Sequence, residues 1–408
     1  ARELYGGLLE TNQEDHGYHA GFQDALLERA PPEGPKAPYG RNRCRRPDYA
    51  GLAPGDRVRL CEAYDALGAA HPRATAPRRI PLDIVDARGD GAGAFDARFA
   101  AYAQPLLRKG APSLYADLRP LCAADPAKAA RVGAVAQAWL ANLEGPEGTF
   151  DGTPGPRELP CTALWARYLV AQHLDAEGDH AGALLAVDEA LAHTPTVAEL
   201  LVFKARVYKR AGDPVEASRW MERARGLDLA DRYLNTKATR YLLRAGQVDE
   251  AAAVVALFTR DGPDPEANLR DMQCCWYELE SAMAHRAKGD LGRALKKLKA
   301  VDRHFQDMVE DQFDFHAYCV RKTTLRAYTQ LLRMEESIWA HKFYRRAACL
   351  LVETYLALDD KKRGAEEAEA GPEGEAGADG VGPGDAAARK KAASKARKAQ
   401  ARAAREAA

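Results

Sequence analysis

No apolar run in this chain reaches the roughly 18 residues a membrane-spanning helix needs, and no signal peptide opens it. Nothing in it is therefore expected to cross a membrane. It has no net charge, because its 59 Lys+Arg offset its 59 Asp+Glu, although the charge is unevenly spread. None of its eight cysteines forms a C-x-x-C pair, and the adjacent Cys274 and Cys275 suit neither a shared zinc site nor a disulfide. Scattered cysteines of this kind read as reduced core residues of a cytosolic protein, with no metal ligands. No stretch alternates for long with a strand period, so the fold class reads as all-α. No nucleophile–base pair stands out. The ten histidines are dispersed, with His173, His193, His285 and His316 on separate expected helices. No catalytic residue is assigned.

What is present is a repeat. Gly178, Gly212 and Gly246 are 34 residues apart (212 − 178, 246 − 212), as are Ala183, Ala217 and Ala251, and Leu174, Tyr208 and Leu242. Ala171 with Ala205 and Ala190 with Ala224 keep the same step. This is the tetratricopeptide period, two antiparallel helices per unit. Small residues let helices approach closely, Gly takes the left-handed turn, and Pro195 stands where a helix cannot continue. Such units cannot bury their apolar faces alone. They stack into a right-handed superhelical solenoid with a concave binding surface.

The Gly-to-Ala offset returns at Gly289 and Ala294, with nine residues inserted, placed near the loop Asp261–Pro265. Helices are expected over 311–334 and 340–359, and upstream around Tyr18, Phe22 and Leu26 and over Arg57–Leu67. Four regions follow. Residues 1–157 are divergent helical repeats interrupted by Pro/Gly stretches at 31–55, 77–93 and 145–157. Residues 158–360 are the regular solenoid. Residues 361–388 form an acidic Gly/Ala linker expected to be disordered. Residues 389–408 are a basic Ala/Lys/Arg helix or tail, able to neutralise RNA phosphates or to remain a solvated charged tail. The chain begins at Ala1 without a Met, inside an expected helix, and reads as a fragment.

Arg88–Gly93 matches R-x-x-G-x-G, the pyrophosphate loop of one acetyltransferase superfamily. That chemistry needs a strand before it and a helix N-terminus after it. Pro81–Val85 is a poor strand, so an ordinary loop is the expected reading. The more informative polar feature is in register. Arg206 and Arg240 are 34 apart (240 − 206); Lys209 and Arg210 lie one turn beyond the first, and Lys237 one turn before the second. Arg232 begins that helix. Stacking brings these cations to one patch. Either an anion, such as a polyphosphorylated small molecule or an acidic segment, balances it, or it is a solvated basic face.

Several blocks carry a family resemblance. Asp231-Arg232-Tyr233-Leu234-Asn235, Ala217-Ser218-Arg219-Trp220-Met221, and Asp311 through Cys319 (DQFDFHAYC) with Arg321-Lys322 resemble the auxiliary subunit of the NatA N-terminal acetyltransferase complex. Ala171-Gln172-His173, Tyr208-Lys209, Met272-Gln273-Cys274 and Arg303-His304-Phe305 fit too. The similarity runs from Leu4-Tyr5 through Arg78–Leu82 to the Lys-rich tail, with a loosely matching N-terminal third whose Pro/Gly insertions look unlike the family.

The resemblance implies a scaffold rather than an enzyme. The family's subunit wraps a small catalytic acetyltransferase subunit and reshapes its active-site loop for nascent chains starting with Ser, Ala, Thr, Gly, Val or Cys. It also tethers the complex to ribosomes in the cytoplasm. Acetyl-CoA is bound by the partner only. Inositol hexakisphosphate sits between the subunits on Lys/Arg of consecutive repeats, which here points to Arg206, Lys209, Arg210, Lys237 and Arg240. Arg232 and Tyr233 match a contact to the catalytic subunit. A small regulatory subunit, Huntingtin-interacting protein K, and ribosomal RNA are further implied partners. A different class stays open: a co-chaperone that holds acidic peptide tails in a Lys/Asn/Arg clamp, drawing on Asn235 and Arg240. A stand-alone acetyltransferase would need a sheet the sequence does not offer.

Overall fold

A computed structural model describes residues 1–29, 49, 51–260, 264–322 and 325–370. Its helices begin and end where local chemistry tells them to. They run α1 (Arg2–Thr11), α2 (His16–Leu26), α3 (Pro54–Ala70), α4 (Ala76–Ile84), α5 (Gly91–Lys109), α6 (Leu114–Ala124) and α7 (Pro126–Glu144). The regular pairs follow: α8 (Pro160–Glu177) with α9 (His180–His193), α10 (Ala198–Ala211) with α11 (Pro214–Arg225), and α12 (Arg232–Arg244) with α13 (Val248–Ala256). A short α14 (Pro265–Asp271) precedes α15 (Cys275–Ala287) and α16 (Leu291–Glu310). Then come α17 (Gln312–Lys322), α18 (Leu325–Glu335), a 3₁₀ turn (Ile338–Ala340) and α19 (Lys342–Ala370). There is no strand among the described residues.

The repeat columns do what their chemistry suggests. Gly178, Gly212, Gly246 and Gly289 all turn the chain with φ between 77° and 91°, a region that costs an L side chain but not Gly. Ala171, Ala205, Ala183, Ala217, Ala251 and Ala294 are fully buried at helix crossings. The residue after three of these glycines is an aspartate that caps the next helix: Asp179 accepts from Gly182 N (2.8 Å), Asp213 from Glu216 N (2.9 Å), and Asp290 from Arg293 N (3.1 Å). This Gly-Asp column is a second repeat signal, absent only from the third pair, where Gln247 stands and makes no such bond.

Two expectations are corrected. The insertion before Gly289 is not simply a loop. It contains α14, whose N-terminus is capped by Asp264 through Glu266 N (3.2 Å); residues 261–263 lie outside the described ones. And the stretch 77–93 is not an interruption, because α4 occupies most of its first half. Pro77 is in the first turn, where no N–H is needed, but Pro81 is interior and forfeits a hydrogen bond. Distant groups hold both ends. The Glu14 carboxylate accepts from Thr75 N (2.6 Å) and Ala76 N (3.1 Å), and buried Lys128 donates from Nζ to the carbonyls of Leu82 and Asp83, both at 2.8 Å. The R-x-x-G-x-G match therefore follows a helix, not a strand. Its Arg88 is engaged with Asp125 (2.7 Å) and Asp86 (3.3 Å).

Residues 1–354 form one unit. Its apolar core runs across the expected border at 157/158: Phe99, Trp139 and Phe150 belong to the same buried cluster as Ala166, Leu169 and Val170 of α8. Residues 355–408 group separately. Their described part is the C-terminal portion of α19, where Arg363 pairs with Asp359 (2.9 Å) and Asp360 (3.1 Å). This helix runs to Ala370, inside the stretch expected to be disordered. The basic segment beyond 388 lies outside the described residues.

Candidate functional site

Helices α10 and α12 are the first helices of successive pairs, so Arg206 and Arg240 occupy equivalent positions. On α12, Lys237, Arg240 and Arg244 follow at intervals of three and four, which puts them on one face. Arg206 and Lys209 supply the neighbouring row on α10. None of Arg206, Lys209, Lys237 and Arg240 has a carboxylate partner among the described residues. The crowding shows in their protonation. Burial first, and then the charges of Arg240, Arg206, Arg244 and Lys209, push the Lys237 ammonium below the ordinary lysine range. Burial, then Arg244, Arg206 and Arg119, do the same to Lys209, with Glu280 opposing.

Arg240 is held by an aromatic ring rather than an acid: its guanidinium carbon lies 4.6 Å from the centre of Trp276, and its buried Nε has no hydrogen-bond partner. Arg244 is neutralised, forming a two-pronged bond to Glu280 at 2.6 and 3.0 Å. Arg210 is likewise occupied. It pairs with Asp175, whose side chain is fully buried and also lies 3.1 Å from His180 Nδ1. Four of the five expected cations thus share an unbalanced face, while the fifth is committed to a carboxylate.

Arg232 and Tyr233 sit in the exposed first turn of α12, capped by Asp231 through Tyr233 N (2.7 Å). Arg232 lies 5.6 Å from the Phe258 ring. Tyr233 is 52% exposed, and its ring stands 5.3 Å from Lys237 Nζ, so this helix start is continuous with the basic face. Asn235, one residue a carboxylate clamp would use, is buried and donates to the Val254 carbonyl at 2.8 Å. That removes it from any clamp.

Sequence spacing did not point to Arg119, an exposed cation of α6 whose charge reaches both Lys209 and Arg210. It lies outside the regular repeats, and no period could have marked it. Among the described residues no three His, Cys, Asp or Glu side chains gather as metal ligands, and the seven described cysteines are unpaired. No described helix is long and apolar enough to cross a membrane. The chemistry on offer is capture of negative charge.

The chain has relatives. The family model for the N-terminal acetyltransferase A auxiliary subunit matches residues 1–408. The chain is 37% identical over 366 residues to the N-terminal acetyltransferase A complex auxiliary subunit NAA15 of Arabidopsis thaliana, covering 89% of this chain and 38% of that protein. To the mouse protein N-alpha-acetyltransferase 16, NatA auxiliary subunit, it is 36% identical over 361 residues, covering 88% of this chain and 38% of that one. The solved structure of Naa15/Naa10 bound to HypK-THB contains a chain that superposes with a TM-score of 0.74 at 31% identity, covering 89% of this chain and 49% of its own. This chain therefore spans 38% of the length of these curated relatives, yet it matches the family model from end to end: it belongs to the family of auxiliary, not catalytic, subunits of N-terminal acetyltransferase A.

Proposed function

We propose that this chain is scaffold for the catalytic NatA subunit, which it binds and activates for acetylation of nascent N-termini. The observation that carries this is the likeness, over 89% of the chain, to a protein solved with Naa10 and HypK. By the same likeness, HypK-type regulatory proteins are the expected third component; docking on ribosomes is proposed from the family resemblance of the sequence alone. Arg232 and Tyr233, exposed beside the basic face, are the proposed contact to the catalytic subunit.

The mechanism is a shift of populations. A catalytic subunit alone samples several loop conformations; contacts with a rigid helical wall favour the one that accepts a substrate N-terminus. The cations Arg206, Lys209, Lys237 and Arg240 are the proposed seat of inositol hexakisphosphate, with Arg210 at its edge. Two surfaces of like charge join only when a counter-ion lies between them. Acetyl-CoA belongs to the partner in this scheme.

The test is co-expression with a catalytic NatA subunit. Co-purification, with faster acetylation of a Ser-Ala-starting peptide than the catalytic subunit achieves alone, is the expected result. If a well-folded chain neither co-purifies nor stimulates, either the further length that the relatives carry is required or the scaffold reading fails; repeating the experiment at the relatives' full length separates the two, and failure there refutes the reading. Within the complex, Arg232→Ala is expected to lower turnover more than it weakens assembly, and equal losses would count against the contact.

A further inference from the structure

A cavity of about 390 Å³ opens between α6, α8 and α10, beside the basic face. Arg119 and Tyr115 of α6, Asp175 and Glu177 of α8, and Arg206 and Arg210 of α10 help to line it. Three guanidiniums here meet two carboxylates, and one of those, Asp175, is already taken by Arg210 and His180. Arg119 is exposed and has no ion pair among the described residues, so the recess keeps surplus positive charge even with Glu177 at its wall. A second observation is independent of charge. Tyr115 is only 5% exposed, and its hydroxyl is buried with no hydrogen-bond partner. Native folds rarely leave such a group unpaired unless something else is meant to meet it.

We propose that this recess is the deep end of the anion site. It receives a phosphate-bearing edge of a polyphosphorylated small molecule, with Arg119 as an additional cation and the Tyr115 hydroxyl as a donor to a phosphate oxygen. The recess extends the α10–α12 face to α6 and α8, and its assignment rests on reading that face as an anion site. Its size favours a compact ligand: sites of roughly 300–1,000 Å³ hold small molecules. An extended acidic peptide would track along the open face and leave the recess empty. Planar, always-charged guanidiniums on facing helices suit the fixed oxygens of phosphate.

The experiment is calorimetric titration of inositol hexakisphosphate into the chain, alone and co-purified with a catalytic NatA subunit. Arg119→Gln should weaken binding about tenfold, the loss of one charge-assisted contact, and Tyr115→Phe about threefold. Arg119→Lys, which keeps the charge but loses the planar fork, should restore part of the affinity. The melting temperature without ligand should not fall in Arg119→Gln, because the arginine has no partner to lose. If Arg119→Gln binds as wild type while Lys237→Glu with Arg240→Glu abolishes binding, the recess takes no part and only the open-face reading survives. If that double variant also binds as wild type, or the probe binds neither form of the protein, the face is no anion site and both ideas fall. A loss in Arg119→Gln matched by a lower melting temperature, and not rescued by Lys, would make the residue structural and overturn the assignment. So would a Glu-rich peptide that binds more tightly than the inositol phosphate.

Discussion

Arg79 and Lys237 are both cations drawn into the body of a helical protein, and their surroundings are opposite. Arg79, 5% exposed, is enclosed by acids: Asp117 at 2.7 Å, Asp83 at 3.1 Å, and the Tyr102 hydroxyl donating to Asp117 at 2.6 Å. Its neighbours in the first seven helices follow suit, with Arg98 on Asp65 (2.7 Å) and Arg131 on Asp96. Lys237 has around it Arg240, Arg206, Arg244 and Lys209. A buried charge must be balanced somewhere. The N-terminal helices answer Arg79, Arg98 and Arg131 with carboxylates of the chain and Lys128 with backbone carbonyls, and so are fastened to one another. The α10–α12 face leaves Arg206, Lys209, Lys237 and Arg240 without a carboxylate partner among the described residues, which is what the proposed anion site would use.

Three experiments would break or sharpen this contrast. The largest effect belongs to the enclosed region. Asp117→Ala strips Arg79 of its shorter ion pair, leaving it Asp83, and removes the acceptor of the Tyr102 hydroxyl; it should destabilise the protein by about 2 kcal/mol in chemical unfolding. A cost under about 1 kcal/mol would mean that Asp83 suffices. The open face should respond in the other direction. Lys237→Gln removes a like charge one turn from Arg240 and should raise stability without ligand by about 0.5 kcal/mol. If it destabilises instead, the lysine has a structural role and the contrast fails. The smallest effect is a pH slope. Lys209 and Lys237 hold folded pKa values below their unfolded ones, so between the two values the unfolded chain binds more protons and stability rises with pH. Melting followed from about pH 8 to 10 should show wild type gaining on Lys209→Gln/Lys237→Gln. Above about pH 10 the stability of both proteins should fall, because burial raises the pKa of Tyr64 and Tyr102 and that stability is lost as the unfolded chain ionises. Bound inositol hexakisphosphate should flatten the lysine slope.

Much of the repeat architecture was legible because its constraints are local. A turn that needs φ near 90° at Gly178 and Gly212 admits few residues but Gly, and a crossing as tight as that at Ala205 admits few but Ala. Such positions recur with the period of the fold. The same register exposed Arg206 and Arg240. What stayed hidden depends on partners far along the chain. Helix α4 carries an interior proline and survives on the Glu14 and Lys128 contacts, which no local pattern announces. Arg210 shares the spacing of Lys209 but turns to Asp175, a choice made by a buried carboxylate on the previous pair. Arg119 belongs to a helix without a repeat signature and joins the cations only through packing.

One consequence follows from the stacking of Arg240 on Trp276. The chain has five tryptophans, and this one lies 4.6 Å from a cation of the open face. An anion that draws the guanidinium toward itself must loosen it from the indole, and indole emission is sensitive to a charge moving across its ring. Binding of the proposed anion should therefore change the emission of Trp276, and Trp276→Phe should silence that signal without emptying the site.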